Sequence, residues 1–290
     1  MLKKLRVLFA VVMGAVITFY FLDFAGLTTG WPNLARIQFV PALLAGSFGI
    51  VLILLVATLL FGRIYCSVIC PLGVFQDAVS WFSGKQKKNR FRYSPALKWL
   101  RYGVLAVFIL ALVAGLNAFV VLLAPYSAYG RMVSSLLAPV WQWGNNLLAY
   151  FAERAESYAF YEVDVWMKSL STLIIAVITL IVLFVLAWRN GRTYCNTICP
   201  VGTVLGFISR YSIFKPVIDT SKCNSCGLCA RNCKASCINA KAHEIDYSRC
   251  VACMDCLGKC KQGAIKYTRR IQKKEGGNTE TVKIKSVTSE

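Results

Sequence analysis

The chain has 290 residues, 57% hydrophobic and 16% charged, with 33 Lys and Arg against 13 Asp and Glu for a net charge of +20. Soluble domains carry about 45–50% apolar and about 25% charged residues, so a disordered chain is excluded and an ordinary soluble enzyme is disfavoured. Basic residues kept outside long apolar runs suit a membrane protein facing an anionic leaflet, and no nucleic acid is expected as a partner.

Crossing a bilayer core of about 30 Å takes roughly 20 apolar residues in a helix. Four stretches answer to this: Val7 to Leu22, Val40 to Phe61, Val104 to Ala124 and Leu170 to Trp188. All are apolar all round, as lipid-embedded helices are. Lys3, Lys4 and Arg6 precede the first run as they would in a signal peptide. Asp23 and Phe24 follow it where small residues would mark cleavage, so it reads as a retained anchor.

Basic residues near the span ends set the orientation. Beyond the three at the N-terminus, Arg63, Lys85, Lys87, Lys88, Arg90, Arg92, Lys98 and Arg101 lie between the second and third runs. The other two connections are poor in Lys and Arg. Both termini are therefore expected in the cytoplasm, in a multi-pass protein of a bacterial inner membrane. Within the long outer connection, Met132 to Phe151 is rich in Leu, Trp and Tyr, with Pro139 and Gly144 expected to break it. It reads either as an interfacial or re-entrant helix or as a plain outer loop packed on the spans.

Two segments are near copies: Gly62-Arg63-Ile64-Tyr65-Cys66-Ser67-Val68-Ile69-Cys70-Pro71-Leu72-Gly73 and Gly191-Arg192-Thr193-Tyr194-Cys195-Asn196-Thr197-Ile198-Cys199-Pro200-Val201-Gly202. Each follows a span that runs outside to inside, so the halves form a parallel repeat about an axis along the membrane normal. Cysteines four apart share a helix face, and proline after the second disfavours helix at that residue. Cys66, Cys70, Cys195 and Cys199 are thus expected to converge on one shared redox or metal site. The plainer alternative is buried free thiols or a disulfide in each copy.

Nine of the 13 cysteines fall between Cys223 and Cys260. The runs Cys223-x2-Cys226-x2-Cys229-x3-Cys233 and Cys250-x2-Cys253-x2-Cys256-x3-Cys260 have the spacing of bacterial two-cluster ferredoxins, in which the fourth cysteine of each run ligates the other cluster. Two [4Fe–4S] clusters are expected, one on Cys223, Cys226, Cys229 and Cys260, the other on Cys250, Cys253, Cys256 and Cys233. Two structural zinc ions are the weaker reading. Lys234 and Lys261 stand where proline usually follows the fourth cysteine, and each either tunes a cluster or is simply solvated. Cys237 is surplus, either a plain thiol or an alternative ligand. The lone histidine, His243, rules out a bis-histidine haem within this chain, and no C-x-x-C-H run offers covalent haem attachment.

These spans, the two G-R-x-Y-C-x3-C-P-x-G copies and the doubled cysteine run resemble the NapH/MauN-type membrane ferredoxins, relatives of the NosR and CcoG polyferredoxins. The resemblance implies a membrane-bound electron-transfer subunit, a quinol dehydrogenase component that exchanges electrons with quinone or quinol and with other redox subunits. The expected fold is membrane all-α, four transmembrane helices in two parallel repeats (1–215), with a C-terminal α+β two-cluster ferredoxin-like domain (216–268) and a basic tail (269–290). A different class of function is an assembly factor that binds or reduces a metal such as copper for a membrane oxidoreductase. A third is a redox-sensing regulatory subunit.

Overall fold

A computed structural model describes residues 2–22, 35–86, 91–154, 161–165 and 169–269. The tail beyond Arg269, Asp23 and Phe24, and Lys87, Lys88 and Arg90 lie outside the described residues.

The structure is mostly helical. Two helices, α1 (Leu2–Leu22) and α10 (Leu170–Asn190), are each long and apolar enough to cross a membrane. Their small or slim positions, Ala10 and Ile17 on α1 and Ala176, Leu183 and Ala187 on α10, face the interior, while Val11 and Ile181 point outward. That inside-out distribution is what an apolar solvent selects.

The other two expected spans are not continuous helices. Residues 40–61 divide into α2 (Phe39–Leu44) and α3 (Phe48–Phe61). Residues 104–124 divide between α6 (Lys98–Val113) and α7 (Asn117–Leu123). Both breaks have one cause. Gly46 (φ 67°) and Gly115 (φ 71°) take the left-handed conformation. The amides of Gly46 and Ser47 then bond the carbonyls of Leu43 and Ala42, and those of Gly115 and Leu116 bond Leu112 and Ala111. These are paired Schellman caps. Glycine is common inside membrane helices, so composition alone did not reveal the breaks. The short helices pack back on their neighbours, α2 on α3 and α7 on α6.

The outer connection also differs from expectation. Pro139 and Gly144 do not break it: α8 (Pro125–Met132) continues through a π-helical turn (Val133–Leu137) into α9 (Ala138–Arg154). Pro139 sits at the junction of the π turn and α9, where a missing amide costs least. This helix is bent by 79° from α7, and by length and composition the pair is either a broken span or the re-entrant element that the sequence offered.

The repeat appears as helix, short helix, helix in each half: α3, α4 (Tyr65–Val68) and α5 (Pro71–Gln86), then α10, α11 (Thr193–Thr197) and α12 (Pro200–Ser209). Packing is crosswise. α5 of the first copy lies on α10 of the second, and α12 of the second lies on α3 of the first.

Beyond α12 the chain forms two small antiparallel pairs, β1 (Phe214–Ile218) with β4 (Ile265–Arg269) and β2 (Ile238–Asn239) with β3 (Glu244–Ile245). Strand β1 straddles the boundary expected at 215/216. The short α13 (Leu228–Arg231) lies within the first cysteine run and carries Cys229. This segment is fastened to the helices by Tyr267 Oη donating to the Phe61 carbonyl (2.8 Å), Ile213 N to Leu59 O (2.9 Å) and Arg192 N to Lys234 O (2.9 Å).

Candidate functional site

The shared Gly, Arg, Tyr and final Gly of the twelve-residue repeat each have a structural task. Gly62 (φ 71°) and Gly191 (φ 69°) end α3 and α10 in the left-handed region, which other residues enter at a cost. The tyrosine hydroxyls reach the ends of the folded-back helices: Tyr65 accepts from the Phe39 amide (3.2 Å), and Tyr194 donates to the Leu123 carbonyl (3.3 Å). The arginines cross over. Arg63 donates to the Cys195 carbonyl at 3.0 Å, and Arg192 donates to the Cys66 carbonyl. A Cβ on Gly73 would collide with the Cys66 carbonyl and press on Arg192; one on Gly202 would collide with the Cys195 carbonyl and press on Arg63. The final glycine of each copy therefore leaves room for the arginine of the other.

This cross-lock gathers Cys66, Cys70, Cys195 and Cys199 in the interior, all buried. Burial pushes the Cys70 and Cys199 thiols up, and the sulfur of Cys195 raises both further. The Cys199 sulfur also accepts from the Gly202 amide at 3.3 Å, and the Gly73 amide serves Cys70 in the same way. No three His, Cys, Asp or Glu side chains among the described residues close up as ligands of a single ion would. Four thiolates around a cluster stand farther apart than four around one ion. Amides directed at sulfur, two guanidiniums beside the thiols and a nearby amide side chain without a partner fit an anionic iron–sulfur cluster. That side chain is Gln76, 1% exposed, with neither amide atom hydrogen-bonded and the Cys195 sulfur beside it. Leaving such a group unsatisfied costs about 1–3 kcal/mol.

The copies differ in charge one residue later. Asp77 accepts from Arg192 Nε (2.9 Å), and its other oxygen is 2.9 Å from Arg6 and 2.8 Å from Arg192 Nη2. Lys234 approaches it to 3.4 Å. Burial alone would raise this carboxyl, but Arg192, then Lys234 and Arg6, hold it well below the usual range. The equivalent residue of the second copy is Gly206, where a Cβ would collide with the Ser248 carbonyl. That space admits the cysteine-rich segment: Arg63 (3.1 Å) and Arg101 (3.3 Å) both donate to the Ser248 carbonyl, two residues before Cys250. Asn196 reaches the Ala235 carbonyl at 3.3 Å from the same side.

Cys233, Cys250, Cys253 and Cys256 line one cavity, and Cys237 lines it too. The Cys237 sulfur lies 3.5 Å from that of Cys233. Its hydrogen bond pulls the Cys233 thiol down to about 7, while Cys237 itself is raised. Cys223 and Cys260 are half-buried, Cys229 is buried and Cys226 is exposed. The turn before Cys260 packs on α13, which carries Cys229. Ser225 (φ 53°), Ala252 (φ 50°) and Met254 (φ 60°) take left-handed conformations within these loops, backbone strain of the kind that functional sites retain.

The two lysines behave differently. Lys234 is 16% exposed and bridges Asp77 and Asp255 (3.0 Å), whereas Lys261 is exposed. Of the basic residues used for orientation, Arg6, Arg63 and Arg101 are buried in these contacts, and Lys3 bonds Asp255 at 2.7 Å. His243 sits at the surface with Nε2 3.2 Å from Ser225 Oγ. Sequence reasoning missed Asp77, Gln76 and Ser248. Asp77 had a signal, being the one acidic residue between Asp23 and Glu153; an acid isolated in apolar sequence marks function by default.

A family model described as a 4Fe-4S binding domain matches residues 43–89 and 171–219, the two segments that carry the paired cysteines. Similar proteins include the ferredoxin-type protein NapH of Haemophilus influenzae, 26% identical over 64% of this chain and 52% of that protein. The methylamine utilization ferredoxin-type protein MauN of Paracoccus denitrificans is 26% identical over 70% of this chain and 56% of its own. The putative electron transport protein YccM of Escherichia coli is 24% identical over 67% and 47%. The chain spans about half the length of the curated relatives it matches. No solved structure matches.

Proposed function

We propose that this chain, which is similar to the NapH and MauN ferredoxin-type proteins, carries electrons between a quinone or quinol in the membrane and redox subunits at the cytoplasmic surface, through iron–sulfur clusters held at three places. The observation that carries this reading is the placement of the 4Fe-4S family match on the two segments whose arginines interlock and whose four cysteines are gathered. A [4Fe–4S] cluster takes up and returns one electron at a time.

The chain's own residues supply an ordered route. Cys66, Cys70, Cys195 and Cys199 form the inner ligand set. Arg63 touches the Cys66 sulfur (3.9 Å) and the Ser248 carbonyl, so one side chain joins this set to the loop of Cys250. Cys250, Cys253, Cys256 and Cys233 form the middle set. Cys223, Cys226, Cys229 and Cys260 form the outer set, where Arg231 donates to the carbonyl of exposed Cys226 (2.8 Å) and exposed Lys222 and Lys261 adjoin Cys223 and Cys260 in sequence. That basic rim suits a partner with an acidic face. On the lipid side, an apolar groove between α5 and α10 runs past Phe75, Val79, Phe82, Phe184 and Trp188. Its lining includes Phe75, the sequence neighbour of Gln76, and it suits the ring and tail of a quinone.

The topology we propose has four crossings, on α1, α3, α6 and α10, with α2 and α7 folded back against the middle two and residues 216–268 as a cytoplasmic ferredoxin-like domain. Anaerobically purified protein is expected to hold about twelve irons, four for each of three cubanes. Serine at all four paired cysteines should leave about eight. Dithionite-reduced protein should be reoxidised rapidly by a quinone analogue. Stoichiometric copper in place of iron at the paired cysteines would instead establish an assembly factor.

A further inference from the structure

We propose that Gln76 donates a hydrogen bond to the cofactor held by Cys66, Cys70, Cys195 and Cys199, and so raises its reduction potential. This rests on the reading that those four cysteines hold an iron–sulfur cluster. Gln76 lies on α5, six residues after Cys70, with 1% of its surface exposed. Neither its amide nitrogen nor its oxygen makes a hydrogen bond of normal distance and angle within the protein, and the side-chain group it approaches is the Cys195 sulfur of the other copy. Buried amides are almost always satisfied, so an acceptor belongs in the space it faces.

The repeat supplies an internal control. At the constant offset that aligns Gly62 with Gly191, Gln76 aligns with Leu205, which is fully buried. Leucine at that place shows that helix packing does not demand an amide. A site built by two near-identical copies thus carries a donor on one side only. An N–H aimed at a cluster sulfur favours the more negative, reduced state, and hydrogen bonds to the sulfurs are among the factors that set cluster potentials.

The test is potentiometric titration of the full-length protein, followed by paramagnetic resonance and scored together with iron content. In Gln76→Leu, iron should stay at the wild-type level. One transition should move negative by about 59 mV, a tenfold change in a one-electron equilibrium, with the others fixed. Gln76→Met serves the same purpose if leucine folds poorly. Leu205→Gln should move the same transition positive, an opposite shift that a merely structural role for this position would not give. A transition that depends on the paired cysteines yet stays put in all three variants overturns the proposal and leaves the cluster reading intact. If serine at the four paired cysteines removes no iron and no transition, the cluster reading itself fails.

Discussion

The ammonium of Lys234 stands 3.4 Å from the carboxylate of Asp77, which ties the residue after one expected cluster ligand to the helix that begins at a paired cysteine. The same ammonium is 3.0 Å from Asp255, which lies between Cys253 and Cys256. The charge beside the middle ligand set is therefore fixed at both ends and largely withdrawn from solvent screening.

Asp77→Asn should undock the cysteine-rich segment. It leaves Arg6 and Arg192 buried without their counter-charge and Lys234 with Asp255 alone, and breaking a buried pair in this way costs about 3–5 kcal/mol. Limited proteolysis between Ser209 and Cys223 should be faster in the variant. Wild type should resist at any pH above about 4, because a carboxyl held below its ordinary range loses its contribution only as pH falls through its folded value. Equal cleavage rates would show that the ion pairs do not hold the segment.

Gly73→Ala and Gly202→Ala should each prevent assembly of the inner site, since the added methyl meets backbone that cannot move. Gly84→Ala, on the same helix as Gly73, meets nothing within 4 Å and should be neutral. Iron content of the three purified variants separates the outcomes; equal loading would reject the cross-lock.

Cys237→Ser should retain all the iron. In Cys233→Ser the neighbouring thiol, 3.5 Å from the lost one, is positioned to substitute, so most of the middle set should survive with altered spectra. The double variant should lose about four irons, one cubane. Full loss in Cys233→Ser alone would show that Cys237 does not replace it.

Reporter fusions at Asn145, on α9, and at Glu290 should lie on opposite sides of the membrane. Eleven basic residues before Val104 fall on the expected inner side. Of these, Arg6, Arg63 and Arg101 serve buried contacts, so replacing them should damage the site without reversing orientation, whereas Lys4, Arg92 and Lys98 remain available to set it. Both reporters active on one side would refute four crossings.

Legibility in the sequence followed the kind of interaction involved. The twelve-residue repeat was visible because each of its fixed letters meets a strict local demand: left-handed φ at Gly62, absence of a Cβ at Gly73, thiol chemistry at Cys66 and Cys70. The interruptions at Gly46 and Gly115 were invisible because a lone glycine in apolar sequence permits either a helix or its end. Asp77 and Gln76 went unremarked for another reason. The groups they face, Arg192 and Cys195, lie more than a hundred residues away, and only the crosswise packing of α5 on α10 brings them together. Cys237 looked surplus in spacing and became interpretable only through its distance to Cys233.

The contrast between Asp77 and Gly206 bears on ancestry. Two separate copies of one half, assembled as a homodimer, would present the same residue at both places: either two acids and no room for Ser248, or two clefts and no anchor for Lys234. A single cysteine-rich appendage can seat on such a base only after the halves have been joined in one gene and released from identity. The interlocked arginines and glycines record the duplication, and the acid opposite the glycine records the divergence that gave a two-fold scaffold a single direction.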